Sequence, residues 1–236
     1  MPDALLDVNG LSAGYGETSV LESVSLGLAP GEAVAVLGRN GVGKSTLLLS
    51  MLGLTTMQGG TLRYRGADIG AWPAWRRARA GLALVPQERE IFRSLTVEEN
   101  LVVSAAPGNW TLARVYALFP RLEERRRNLG HQLSGGEQQM LAIGRALIGN
   151  PNIILFDEPF EGLAPVIVDQ LVDAFRKLRA DQGIGVVLVE QHAELALALT
   201  DRALVLDRGR EVWSGLSHAL AADATLLGSL VGLESA

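Results

Sequence analysis

Cysteine is absent from this chain. Its absence excludes disulfides and thiolate metal sites and leaves the redox compartment open. Long apolar runs are missing too. None reaches the roughly 18 residues of a membrane span, although 48% of the residues are hydrophobic, enough for a sizeable core. The N-terminus has neither a basic segment nor an apolar stretch behind it, so no signal peptide is expected. Basic residues are in deficit: 21 Lys and Arg against 26 Asp and Glu give a formal charge of −5. A nucleic-acid partner is therefore not expected. No internal repeat or low-complexity linker divides the sequence. At 236 residues the chain can form one α/β domain, or one domain carrying an inserted lobe.

What is present centres on Gly38-Arg39-Asn40-Gly41-Val42-Gly43-Lys44-Ser45-Thr46. This stretch fits the phosphate-loop spacing G-x-x-x-x-G-K-[ST] at every fixed position. Gly38, Gly41 and Gly43 let the backbone turn tightly and aim its N–H groups inward. A helix starting near Lys44 adds its positive end. Lys44 supplies a point charge for β- and γ-phosphates, and Ser45 a hydroxyl for Mg²⁺. The context agrees: Ala33–Leu37 reads as a buried strand and Leu47–Leu52 as a helix packed on a sheet.

Ahead of the loop, residues 3–28 alternate apolar and polar around glycines, which predicts a small antiparallel sheet. Tyr15 falls in a turn there, either stacking on a base or simply wet. Behind the loop, residues 59–66 read as strand and turn. Residues 72–80 read as a basic, tryptophan-bearing helix with Pro73 in its first turn and one aromatic packed inward. A second buried strand ends at Gln87, where open α/β sheets place ligand contacts, or where a plain surface amide sits. From about 88 to 149 apolar residues recur at helical spacing, as in 95–103 and 111–122, which predicts an inserted helical lobe. The charge run 121–127 reads as a solvated face.

Ser134 and Glu137 form a capping-box pattern, and Gly135 and Gly136 between them permit close approach by an anion. The pattern is thus either a second phosphate-grade helix end or a plain cap. A third buried strand, Ile153 onward, ends in Asp157 and Glu158; Asp157 can hold Mg²⁺ through water and Glu158 can polarise an attacking water. Residues 166–180 read as a helix, 186–190 as a fourth buried strand ending at Gln191 and His192, and 193–199 as a helix. A hairpin over 203–213 and helices from Ser217 complete the pattern.

In this order the motifs resemble the ATP-binding subunit of ABC transporters over essentially the whole chain. Leu133-Ser134-Gly135-Gly136-Glu137 is the discriminating signature. The resemblance implies a phosphate-loop ATPase core with a mostly parallel sheet. An N-terminal antiparallel β subdomain shares residues 1–87 and 150–236 with that core, and a helical subdomain spans about 88–149. No appended regulatory domain is expected. It also implies ATP and Mg²⁺ as cofactors, the metal held by Ser45, Gln87 and Asp157. Tyr15, residues 38–46, Gln87 and, from a second subunit, Ser134 to Glu137 would contact the nucleotide. Implied partners are that second ATPase subunit, identical or paralogous, membrane permeases and, indirectly, a substrate-binding protein, with the chain on the cytoplasmic face of the membrane. Residues 118–122, 138–147 and 161–165 look like the importer branch for branched-chain amino acids and related amides. Gln87, with 89–92 and 95–101, leans towards its urea-type members, and a single-half exporter or a non-transport ABC ATPase are further alternatives. Phe160 stands where small polar residues are usual, and Glu88 where glycine is. The switch histidine of the family lies ten residues before an Asp-Arg pair. Counting back from Asp201-Arg202 reaches Gln191, and His192 fills the place if the turn shifts by one residue.

Overall fold

The computed structural model describes residues 4–180 and 183–232. The expected domain limits at 1 and 236, and the start of the first strand pair at residue 3, lie outside them. In chain order the elements are β1 (Leu6–Tyr15), β2 (Thr18–Leu28), β3 (Ala33–Leu37), α1 (Lys44–Leu52), β4 (Thr56–Tyr64), β5 (Ala67–Asp68), α2 (Ala74–Arg79) and β6 (Leu82–Val85). The lobe follows with α3 (Val97–Val102), α4 (Leu112–Leu118), α5 (Pro120–Glu124) and α6 (Gly135–Ile148). Then come β7 (Ile153–Asp157), α7 (Pro165–Ala180), β8 (Gly185–Glu190), α8 (Ala193–Leu199), β9 (Arg202–Asp207), β10 (Arg210–Leu216), α9 (Ser217–Ala221) and α10 (Ala224–Val231).

Two sheets form. The first is antiparallel, in the order β2-β1-β4-β5. The second runs β10-β9-β3-β8-β7-β6 and is parallel except for the β9–β10 hairpin. Every residue of β3, β7 and β8 is buried, because both faces of a parallel sheet are covered. Alternation assigns the faces. Val34, Val36, Val187 and Val189 join a core with α1 and the antiparallel sheet. Ala33, Ala35, Leu37, Val186 and Leu188 join the opposite core with α6, α7, α8 and the lobe. The phosphate-loop helix is therefore clamped between the sheets. Helix α6 belongs to both halves, touching α3, α4 and α5 on one side and β6 on the other.

Three local expectations are corrected. The strand placed at 59–66 begins at Thr56, because its pairing with β1 carries it past Gly59 and Gly60. Tyr15 is the last residue of β1, paired with Thr18, rather than a turn residue. The helix placed at 72–80 is only Ala74–Arg79, since Pro73 is extended at its N-cap. The aromatic packed inward is Trp72, just ahead of the helix; the inward residue of the helix itself is a cation. Trp75 is 61% exposed, whereas Arg77 is 2% exposed. Arg77 donates to the carbonyls of Ser50 and Met51 at the end of α1, and to those of Trp72 and Gly70 (2.8–3.0 Å). It adds to the Gly53 N–H, which reaches the Leu49 and Ser50 carbonyls, a second donor for Ser50 and one for Met51 in the last turn of α1.

Candidate functional site

Parallel register gathers the site. Leu37 pairs with Glu190, Asp157 with Val189, and Val85 with Phe156. The C-terminal ends of four adjacent strands thus deliver the phosphate loop, Gln191, Glu158 and Gln87 to one edge. They line a pocket of about 290 Å³ with Asn40, Gly41, Gly43, Lys44, Ser45, Thr46 and Val20.

The glycines of the loop answer to space as well as to dihedral angle. Gly38 has φ 145°, and a Cβ there would lie 2.4 Å from the Leu206 carbonyl oxygen. Gly43 caps α1 with φ 106°, and its Cβ would lie 2.8 Å from Leu21. Val42 packs into the core between the sheets. Lys44 is 5% exposed. Its Nζ donates to the carbonyls of Gly38 (2.9 Å) and Arg39 (3.2 Å) and pairs with Glu158 Oε1 at 3.3 Å. A buried ion pair is weak evidence for stability, and its place in a pocket marks function.

Glu158 has φ 47°. Left-handed backbone in a residue other than glycine costs about 1–3 kcal/mol and gathers at functional sites. The conformation aims the carboxylate back over the loop, where Oε2 accepts from the Gln191 amide at 2.6 Å and from the Gln87 amide at 3.4 Å. The same Gln87 nitrogen donates to Glu161, an exposed acid outside the pocket lining that sequence reading missed although it stands three residues after Glu158. Val20 was missed as well. Its only signal is three-dimensional, the packing of β2 against Gly43.

Ser45 donates to Asp157 Oδ1 at 3.0 Å. Burial pushes the Asp157 carboxyl above its usual pKa, and the Ser45 hydrogen bond offsets only part of this. A hydroxyl, a carboxylate and an amide oxygen are hard donors, and a desolvated carboxylate favours a cation. Ser45, Asp157 and Gln87 therefore fit Mg²⁺, which is bound through one or two carboxylates and completes its shell with other oxygens, phosphate and water.

The structure does not bring every expected residue here. Tyr15 is 51% exposed on the outer sheet and does not line the pocket. Ser134 caps α6 in the expected capping box, its Oγ accepting from the Glu137 N–H and its own N–H donating to Glu137 Oε2 at 2.8 Å. Ser134 and Gly135 are exposed, Gly136 is packed against Ile167, and none of these lines the pocket. His192 is placed away from it. It stands at the N-cap position of α8, without a side-chain cap bond, and lines an adjoining depression with Gly162, Leu163 and Asp169 that Gln191 also borders. The register of β8 accounts for this: Glu190 turns inward, so Gln191 turns to the pocket and His192 turns away.

A family model described as ABC transporter matches residues 21–161. The chain is 42% identical over 224 residues to the high-affinity branched-chain amino acid transport ATP-binding protein BraG of Pseudomonas aeruginosa, covering 92% of this chain and 94% of that relative. It is 34% identical over 220 residues to the lipopolysaccharide export system ATP-binding protein LptB of Escherichia coli, covering 90% of each. Among solved structures, an ATP binding subunit of an ABC transporter matches with a TM-score of 0.80 at 30% identity, covering 95% of both chains.

Proposed function

The chain belongs to the ABC transporter family as an ATP-hydrolysing subunit, and we propose that it energises uptake of branched-chain amino acids through membrane permeases. The 42% identity to BraG across nearly the whole length is the observation that carries the cargo. LptB, at 34%, supports an export reading less strongly.

Within the site, the loop N–H groups and Lys44 bind the phosphates of ATP. Bound Mg²⁺ supplies charge neutralisation on those phosphates, with Ser45, Gln87 and Asp157 its protein ligands. Glu158 orients and polarises the attacking water, and Gln191 holds Glu158 and that water in place. Ser134, Gly135 and Gly136 present N–H groups to the nucleotide of a second copy, and Tyr15 stacks on the base. Their distance from the pocket within one chain supports a site completed by dimerisation.

No helix among the described residues is long and apolar enough to cross a membrane, and we place the chain at the cytoplasmic face, bound to permeases. A groove of about 770 Å³ between α2, β6 and the lobe suits a permease helix. The segment 88–100, which leads from Gln87 into the lobe, is absent from its lining. Arg145 links the two, since it lines the groove and donates to the carbonyls of Glu90 (2.8 Å) and Arg89 (3.3 Å).

The test is ATP turnover in the assembled complex. A binding protein loaded with leucine, isoleucine or valine should raise turnover several-fold, and Glu158→Gln should abolish it. Stimulation by urea or a short amide alone, or ATP-driven extraction of lipopolysaccharide, would overturn the cargo.

A further inference from the structure

Glu190 is the last residue of β8 and only 1% exposed. Burying a carboxylate is costly unless its oxygens are well bonded. Here the partners are backbone N–H groups from two loops. Oε1 accepts from Phe160 at 3.2 Å and Oε2 from Gln191 at 3.0 Å. Burial pushes the Glu190 carboxyl above the usual carboxylate range, and the N–H groups of Phe160, Gln191 and His192 pull it partly back.

Those loops carry the reacting groups. Phe160 lies two residues after Glu158, and its ring is buried in the opposite core. Gln191 carries the amide that meets Glu158 at 2.6 Å. One side chain thus joins the turn bearing the water-activating acid to the turn bearing its orienting amide. Between these backbones the Glu158 N–H also donates to the Val189 carbonyl at 3.0 Å. The left-handed backbone of Glu158 needs such restraint, because a strained conformation persists only when its surroundings over-determine it.

We infer that Glu190 is a positioning residue for hydrolysis, bridging the Phe160 and Gln191 backbones so that Gln191 is held against Glu158. The inference rests on the reading of Gln191 as the switch residue. Its carboxylate is suited to this task, since two acceptor oxygens meet two N–H donors. A glutamine at the same place would face one of those donors with its own NH₂ group.

The experiment is a kinetic cycle on the full chain with its permeases. Glu190→Gln should lower kcat by roughly ten- to a hundredfold, the scale of a misplaced reacting group, with KM for ATP within about twofold and Tm within a few degrees. In a Gln191→Ala background the same change should cost less than about twofold more, because the two act as one unit. Should Glu190→Gln fail to fold, Glu190→Asp carries the test, keeping the charge but withdrawing the oxygens by one methylene. Parental kcat in the single variant, or a fully multiplicative loss in the double, overturns the inference. So does a kcat loss accompanied by an equal loss of ATP affinity. Gln191→Ala alone tests the reading beneath it. If that variant is as active as the parent, the switch assignment fails; if it is impaired while Glu190→Gln is not, only the positioning role fails.

Discussion

At the scale of single residues, the switch position turns on which of two neighbours faces the phosphate loop. The amide of Gln191 reaches Glu158, while His192 starts α8 outside the pocket. Gln191→Ala should therefore reduce turnover by roughly a hundredfold, the low end for a positioned catalytic group, with His192→Ala close to parental. Steady-state ATPase rates decide it; the reverse pattern would hand the role to His192. An amide carries no titrating charge, so its contribution should stay level across neutral pH, where a histidine's would not.

At the scale of elements, the phosphate-loop helix is held at both ends. Gly43 starts α1 with left-handed backbone, and Arg77 closes its last turn from α2. Arg77 is buried by its neighbours, which lowers its pKa, and its bonds go to backbone carbonyls. Arg77→Leu should remove these donors, leaving Ser50 only its bond from Gly53, and cost roughly 3 kcal/mol, about 10 °C in Tm for a domain of this size. Arg77→Lys should recover little, because a point donor cannot reproduce the guanidinium fork. Thermal melts followed by circular dichroism would show this, and full recovery by lysine would refute the fork. The lobe has a comparable tie. The Asn100 amide is fully buried and bonds to Phe92, Leu95 and Thr96, fixing the turn that precedes α3.

At the scale of the whole molecule, the fold leaves two glycine-bearing helix N-termini apart, at Lys44 and at Ser134. The composite site proposed above would bring them together between two copies. Glu158→Gln should trap an ATP-dependent dimer, seen as an earlier peak in size-exclusion chromatography. Adding Ser134→Arg to that variant should abolish the dimer while ATP binding to the monomer persists. A dimer that forms equally well with both changes would sink the composite site.

Much of this was legible in the chain itself. The phosphate loop, the acids after β7, the capping box of α6 and the alternation of the buried strands are local patterns. Each is dictated by a few neighbouring residues and by backbone geometry, so each can be read in one dimension. The bonding partners cannot. Arg77 reads as one more charge on a basic helix until α1 is packed beside it, and Glu190 reads as the end of an apolar strand until the turn at Phe160 arrives from 30 residues away. Val20 joins the pocket only through packing, and Glu161 meets Gln87 only through a turn. The choice between Gln191 and His192 was open for the same reason. It depends on where β8 ends relative to β3 and β7, and inter-strand register is a tertiary quantity. Local backbone preference determined which groups this chain possesses; the burial of polar side chains against distant backbone determined where they point.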